Sequence, residues 1–188
     1  LGIHNDEEDN LWISMDRGVD FISFQVDPSY TLYNYEEIGA VYDAALYRGD
    51  LYLCTNQGVF YRNWENEKDL FRFIPGTQGQ AWSCDVFDGQ LIVGHNTGTY
   101  RIENHTAEQI SAVSGGFSMT RDPLKHNLLV QSTYTNIVFY DKQGSDWQYN
   151  YQLSEFQDLI RYIQLDYFNN IWASHMHRGI YRLRLDEA

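Results

Sequence analysis

The sequence is poor in proline, cysteine and positive charge. Only three prolines and no low-complexity tract occur in 188 residues, and 43% of the residues are apolar against 21% charged. That balance supports a packed core and excludes a disordered chain. The length suits one ordinary domain or part of a larger one. Two cysteines, Cys54 and Cys84, are too few for a disulfide framework or a four-ligand zinc site. Both sit in apolar strand-like runs and read as buried free thiols, which leaves the redox compartment open. Lys and Arg number 13 against 26 Asp and Glu, a net charge of -13. Such a surface repels phosphate backbones and excludes direct nucleic-acid binding by this segment. No apolar run approaches the roughly 18 residues of a membrane span, so no membrane insertion is expected. There is no signal peptide, and residue 1 is Leu, as expected of a processed or excised piece. What is abundant is aromatic side chain, 16% of the total, a strand-rich composition.

A repeat organises the chain. NLWISMDRG ends at Gly18, DLYLCTNQG at Gly58, QLIVGHNTG at Gly98, NLLVQSTYTN at Asn136 and NIWASHMHRG at Gly179. These end-points are spaced by 40, 40, 38 and 43 residues. Each segment is a polar turn residue, an apolar strand and a polar tip closing on Gly or Asn, which tolerate positive φ. A second strand follows each tip, as in VFYR at 59–62, and a third precedes each segment, as in AVYDAALY at 40–47 and AWSCDVF at 81–87. Gly49-Asp50, Asp88-Gly89 and Asn169-Asn170 supply hairpin chemistry between third and first strands. A fourth strand completes most units, at 30–35, 70–74, 107–113 and 147–153.

Four antiparallel strands per roughly 40 residues predict an all-β chain, a β-propeller of about five four-stranded antiparallel blades. The blades fall at about 1–38, 39–79, 80–115, 116–156 and 157–188, with strands A to D from axis to rim. The last blade lacks its outermost strand, so a partial propeller, a fragment of a larger one, is expected, with a five-bladed ring closed by residues 1–5 beside the last blade as the alternative. Its terminal faces, around Trp12 and Trp172, would lie exposed and recruit the rest of a parent chain or a second copy. Residues 154–163 also carry Phe156, Leu159, Ile160 and Ile163 at helical spacing, with Ser154 and Gln157 as a capping box. A helical turn at 154–159 before the strand would satisfy both signals.

The sialidase box, the Trp-Asp dipeptide closing strand C and the per-blade Gly pair of kelch repeats are absent. What recurs is D-x-x-(G/N)-N-L-W-I-(G/S)-T-x-x-G-(L/V), as DEEDNLWISMDRGV from Asp6 to Val19, with weaker copies at 50–59 and 169–180. This resembles the two-component-regulator propeller repeat. That repeat forms the extracytoplasmic sensor region of Bacteroidetes hybrid two-component systems and of related regulators with a triple-tyrosine domain. The resemblance covers essentially the whole chain, and the copy at 127–136 departs most. It implies ligand sensing, with polysaccharide fragments as the best-known ligand class, a periplasmic location and no catalytic residues. Trp12 and Trp172 would fill space between blades.

Binding in a propeller falls where B–C and D–A loops converge. The B–C tips are Asp16-Arg17, Asn56-Gln57, His95-Asn96-Thr97, Tyr134-Thr135 and His175-Met176-His177-Arg178. Variable tips on a fixed scaffold are where recognition is written, though they read also as solvated turns. The link 76–82 adds Gln78, Gln80 and Trp82, amides beside an aromatic plate that suit sugar hydroxyls and ring faces, unless Trp82 simply packs between blades. His175-x-His177 would present two rings on one face, with His95 as a third metal ligand, but no carboxylate spacing matches, so no metal and no cofactor is expected. Glu7-Glu8-Asp9 and Glu36-Glu37 read as solvated charge rather than a glycosidase pair. The expected function is a non-catalytic sensor binding a small polar ligand, an oligosaccharide. The alternatives are a propeller lyase or glycosidase using the tip histidines, and a protein-interaction platform.

Overall fold

The computed structural model describes residues 2–8, 10–15, 18–23, 29–33, 38–66 and 68–184, with backbone alone at 29–33. Asp9, the tip Asp16-Arg17, Glu36-Glu37 and residues 185–188 lie outside the described residues. The chain is all β, with the antiparallel blades of a β-propeller and no helix among the described residues. The first blade is β1 (Ile3–Asn5), β2 (Leu11–Met15), β3 (Gly18–Ser23) and β4 (Ser29–Tyr33). The second is β5 (Val41–Tyr47), β6 (Asp50–Thr55), β7 (Val59–Asn63) and β8 (Arg72–Phe73). The third is β9 (Ala81–Phe87), β10 (Gln90–His95), β11 (Gly98–Glu103) and β12 (Thr106–Ser111). The fourth is β13 (Ser118–Arg121), β14 (Leu128–Ser132), β15 (Ile137–Gln143) and β16 (Asp146–Gln152). The fifth has three strands among the described residues, β17 (Ile160–Leu165), β18 (Asn170–His175) and β19 (Gly179–Arg184). In every sheet, strands adjacent in sequence are adjacent in space, as an up-and-down meander requires.

Contacts group the chain into two compact units, 1–93 with 102–107 and 94–101 with 108–188. The first has a core of Trp12, Val19, Ile38, Val41, Leu51, Leu53 and Phe60. The second is built on Val130, Ile137, Phe139, Ile160, Ile163, Leu165, Ile171 and Ala173. Period-2 alternation explains membership: Ile171, Ala173 and His175 of β18 point inward while Trp172 between them does not. Each buried Leu, Ile or Phe contributes about 1.5–3 kcal/mol, so a sheet gains its stability from the neighbour that covers its face.

Two expectations about turns are corrected. Residues 154–159 form a turn and an extended entry into β17, not a helical turn. Gln157 Nε2 donates to the Ser154 carbonyl at 3.3 Å instead of closing a capping box. Phe156 packs beside the second core and meets Tyr181 edge-on at 5.4 Å, while Ile160 and Ile163 belong to a strand paired with β18. Their three- and four-residue spacing combines a turn with strand alternation. The hairpin turn expected at Gly49-Asp50 lies one residue earlier, with positive φ at Arg48 (51°) and Gly49 (84°), as at Asp88 (51°) and Gly89 (74°). Asp50 is held in β6, where it pairs with Asn63 and its Oδ2 lies 2.7 Å from His105 Nε2.

The motif starting at Asp6 owes its sequence to one carboxylate. Asp6 Oδ1 accepts from the Glu8 and Asn10 backbone N–H groups and from Asn10 Nδ2, and Oδ2 accepts from Trp12 Nε1 at 3.2 Å. Asp166 repeats the arrangement with Phe168, Asn170 and Trp172. Burial opposes ionisation of Asp6, but the combined hydrogen bonds from Asn10, Trp12 and Glu8 outweigh it and hold the carboxyl below its ordinary value. The two tryptophans differ in cover. Trp172 is 37% exposed, as expected of a bare blade face. Trp12 is not: it is 4% exposed, under Trp64 at 4.5 Å and Phe21 at 4.7 Å. The second blade seals that face, which corrects the expectation of an exposed surface around Trp12.

The glycines closing the second and third tips, Gly58 and Gly98, have little room. At Gly58, φ is 140°, and an added Cβ would fall 2.3 Å from the Thr77 carbonyl oxygen. At Gly49, φ is 84° with open space around it. Gly58→Ala is therefore expected to destabilise by about 3–5 kcal/mol and Gly49→Ala by about 1 kcal/mol. Urea denaturation of both variants measures this, and equal costs would refute the close approach at Gly58.

Candidate functional site

The tips expected to bind ligand are held by one device. In the second blade, Thr55 Oγ1 accepts from the Gln57 and Gly58 N–H groups and donates to the Gly58 carbonyl at 2.9 Å. Thr133 does the same for Thr135 and Asn136. At the corresponding places the third and fifth blades carry histidine. His95 Nδ1 accepts from the Thr97 N–H at 3.2 Å and lies 2.8 Å from the Thr97 hydroxyl. His175 Nδ1 accepts from the His177 and Arg178 N–H groups, both at 2.9 Å. Imidazole here replaces a threonine hydroxyl as the cap of a tight turn. Both rings are buried. The His177 ring stands 6.2 Å from that of His175, at 66°, and β18 ends at His175, so the two are not strand neighbours on one face. Among the described residues no group of three His, Cys, Asp or Glu side chains is arranged to hold a metal.

His175 is also tied to the fifth blade's entry. With Nδ1 accepting, the ring proton sits on Nε2, which donates to Asp158 Oδ1 at 2.8 Å. Tyr181 OH donates to Asp158 Oδ2 at 2.7 Å. The Tyr181 hydrogen bond first, then the Leu159 amide and the nearby His175 and Arg178, hold the Asp158 carboxyl below its ordinary value against desolvation. Arg178 itself is exposed, 3.9 Å from Asp158, and His177 is exposed.

The remaining tip residues fall into one set in each unit. In the first, Asn56 Oδ1 accepts from the Ala40 N–H at 2.8 Å, and the Gln57 carbonyl accepts from Gly79 N–H at 3.3 Å. The first bond ties Asn56 to the entry of β5, and the second brings Gln57 to the link carrying Gln80, which is half-buried. Trp82 stacks on Tyr42 with ring centroids 4.6 Å apart. In the second unit the His95 carbonyl accepts from Gly115 and Gly116 N–H. Tyr134 lies over Gly115 and edge-on to Phe117 at 5.1 Å. Asn96 Oδ1 is buried without a hydrogen-bond partner.

A cavity of about 480 Å³ opens in the first unit, which the sequence reading missed. His4, Ser14, Asp43, Ala45, Cys84 and Asp85 line it, mainly from A strands. Asp43 Oδ2 accepts from the Cys84 N–H and Oδ1 from the Ala44 N–H, both at 2.9 Å. Burial pushes the Asp43 carboxyl up, and the Cys84 and Ala44 amides and His4 only partly offset this. Asp85 opens onto the cavity, yet desolvation first and the Asp43 charge second push it up to about 7. Near neutral pH the Asp85 carboxyl is therefore partly protonated and can both donate and accept at the cavity wall. The signal was present as a single aspartate inside each of two apolar strands, AVYDAALY and AWSCDVF.

No protein-family model matches the chain, and no curated protein matches it in sequence. Solved structures do match in fold. The WD40 β-propeller domain of Doa1 superposes with a TM-score of 0.68 at 13% identity, over 95% of this chain and 62% of that one. The extracellular domain of the hybrid two-component system BT4673 from B. thetaiotaomicron gives 0.62 at 14% identity, over 100% of this chain and 32% of that domain. Streptogramin B lyase gives 0.65 at 11% identity, over 99% and 68%. The chain thus spans from about a third to two thirds of these structures. At such identities the likeness establishes the propeller fold.

A carboxyl whose folded value is raised keeps its proton longer in the folded state. Its contribution to stability is full below about pH 4 and is lost as pH rises to about 7. Asp85→Asn removes that loss. After allowing for water screening in the open cavity, the gain above pH 7 is about 1–2 kcal/mol. The variant's Tm is expected to exceed wild type by about 2–6 °C at pH 8 and to match it near pH 4. Thermal denaturation across this range checks it, and a pH-independent difference would refute the coupling.

Proposed function

We propose that this chain is a non-catalytic, ligand-sensing propeller segment from the extracytoplasmic, periplasmic part of a bacterial signalling or transcription regulator. Its ligand is a small, hydroxyl-rich molecule, an oligosaccharide. The observation that carries this reading is the cavity lined by the Asp43 and Asp85 carboxyls, polar groups that suit vicinal hydroxyls. Trp82, stacked on Tyr42, supplies an aromatic plate from the same A strands. The motif that resembles the two-component-regulator repeat supports the signalling assignment. So does the fold shared over the whole chain with the BT4673 extracellular domain. The buried tip histidines already bond to backbone amides, which disfavours them as acid and base. Among the described residues no helix is long and apolar enough to cross a membrane. In the parent protein the bare fifth-blade face around Trp172, Tyr162 and Ile180 is covered by the rest of the chain or by a second copy.

One observation favours a second reading. A carboxyl raised to about 7 beside another carboxyl is the pairing of a general acid and a base, and a propeller lyase shares the fold. Thermal-shift and calorimetric titration with a panel of oligosaccharides, followed by product analysis of the same mixtures, separates the two. The sensor reading expects stabilisation by one glycan class with no turnover. Asp85→Asn and Trp82→Ala are then expected to weaken binding about tenfold or more, and Arg178→Ala at the exposed tip less than threefold. Released product would establish the enzyme, and loss of binding in Arg178→Ala alone would move the site to the tips.

A further inference from the structure

We propose that Cys54 and Cys84 are the two halves of a reversible disulfide that cross-links the second blade to the third within the first unit. Cys54 lies near the end of β6 and Cys84 in the middle of β9, thirty residues apart in sequence. Both side chains are buried, 0% and 3% exposed, and Cys84 borders the cavity of the first unit. Cys54 Sγ donates to the Ser83 carbonyl at 3.4 Å, which leaves its sulfur to accept, and the two thiols are hydrogen-bonded to each other. Asp43 anchors both sides of the pair. It is the cross-strand partner of Cys54 in the β5–β6 ladder, and its carboxylate accepts the Cys84 backbone N–H. With Cys54 Sγ on the Ser83 carbonyl, one residue before Cys84, and with Asp43 anchoring both strands, the two thiols are placed to approach to a disulfide bond of about 2.05 Å.

The surroundings set when the bond forms. The hydrogen bond to Cys54, burial and the nearby Asp43 and Asp85 carboxyls raise the Cys84 thiol well above its ordinary value. Burial raises the Cys54 thiol, which the Cys84 hydrogen bond only partly offsets. Attack requires the thiolate, so the closed reduced protein is slow to react. Oxidation proceeds during folding, or when the two blades part, by exchange with a small disulfide or with an oxidised dithiol oxidoreductase. One protein thiolate attacks the donor disulfide and releases one thiol from it. The second protein thiolate then attacks the mixed disulfide and releases the other. Two S–H bonds of the protein break, one S–S bond forms, and the donor disulfide is reduced to two thiols. Once the blades close, the bond is buried, with Cys84 bordering the cavity of the first unit.

The test uses the whole chain, denatured in guanidinium and refolded across a series of reduced-to-oxidised glutathione ratios. Each sample is alkylated under denaturing conditions and weighed intact. The expected product is about 2 Da lighter than the reduced chain with no alkylatable thiol, and its peptide map joins Cys54 to Cys84. Its Tm is expected to exceed that of the reduced protein by about 5–10 °C, a difference that is absent in Cys54→Ala and Cys84→Ala. Two alkylatable thiols at every ratio would overturn the proposal. So would two glutathione adducts or a disulfide-linked dimer. The mass readout is made on the unmodified sequence, so the result does not depend on whether either variant folds.

Discussion

The B–C tip is the constraint on which the blades depend. Backbone amides there point into the turn with no strand to pair with, and a side-chain acceptor three or four residues before the closing glycine or asparagine bonds to them. Thr55 and Thr133 do this with a hydroxyl, His95 and His175 with an imidazole nitrogen. The turn must then reverse tightly enough to lay the next strand beside the last, and at Gly58 the backbone passes so close to Thr77 that no side chain fits. Register, loop length and the position of the following link all follow from that closure. The neighbouring link is then tied to the tip, as where Gly79 N–H meets the Gln57 carbonyl and Asp158 N–H meets the Thr135 carbonyl.

How much of this was legible depended on whether a signal lay in spacing or in atom roles. The strands and their antiparallel meander were readable because glycine, asparagine and apolar alternation recur every 40 residues or so. The tip caps were not readable as one feature, because threonine and histidine share an acceptor position but no residue type. The same holds for the Asp6–Trp12 and Asp166–Trp172 loops. Their sequence pattern was visible, but the hub carboxylate that explains it appears only when the loop curls around it. Residues 154–163 misled in the opposite direction. Their helical spacing was genuine, but Phe156 serves a turn and Ile160 and Ile163 serve a strand. Asp43 and Asp85 were hidden because a single acid in an apolar strand looks like its solvent-facing side. Only the packing of A strands turns that side into a cavity wall.

The first unit places its chemistry along one seam. Tyr42, Asp43 and Cys54 of the second blade face Trp82, Cys84 and Asp85 of the third, so an aromatic stack, a carboxyl pair and a thiol pair share the same few residues of backbone. Anything that changes the spacing of these strands acts on all three at once. The carboxyls raise the thiols, and the Cys84 amide in turn restrains the Asp43 carboxyl. In the second unit the polar residues are spent differently. Thr99, Gln131 and Tyr140 bond to one another in the interior, where desolvation raises the Tyr140 hydroxyl to about 12. That network specifies packing rather than binding.

Trp12 and Trp172 are chemically matched indoles, each with its N–H on an aspartate two turns of chain away and each on the same strand of its blade. They differ only in that one is roofed by Trp64 and the other is open to water. Indole emission shifts to longer wavelength as its surroundings become more polar. Trp172 is the most exposed tryptophan among the described residues, so any surface laid over the fifth blade would shift that ring's share of the emission to the blue.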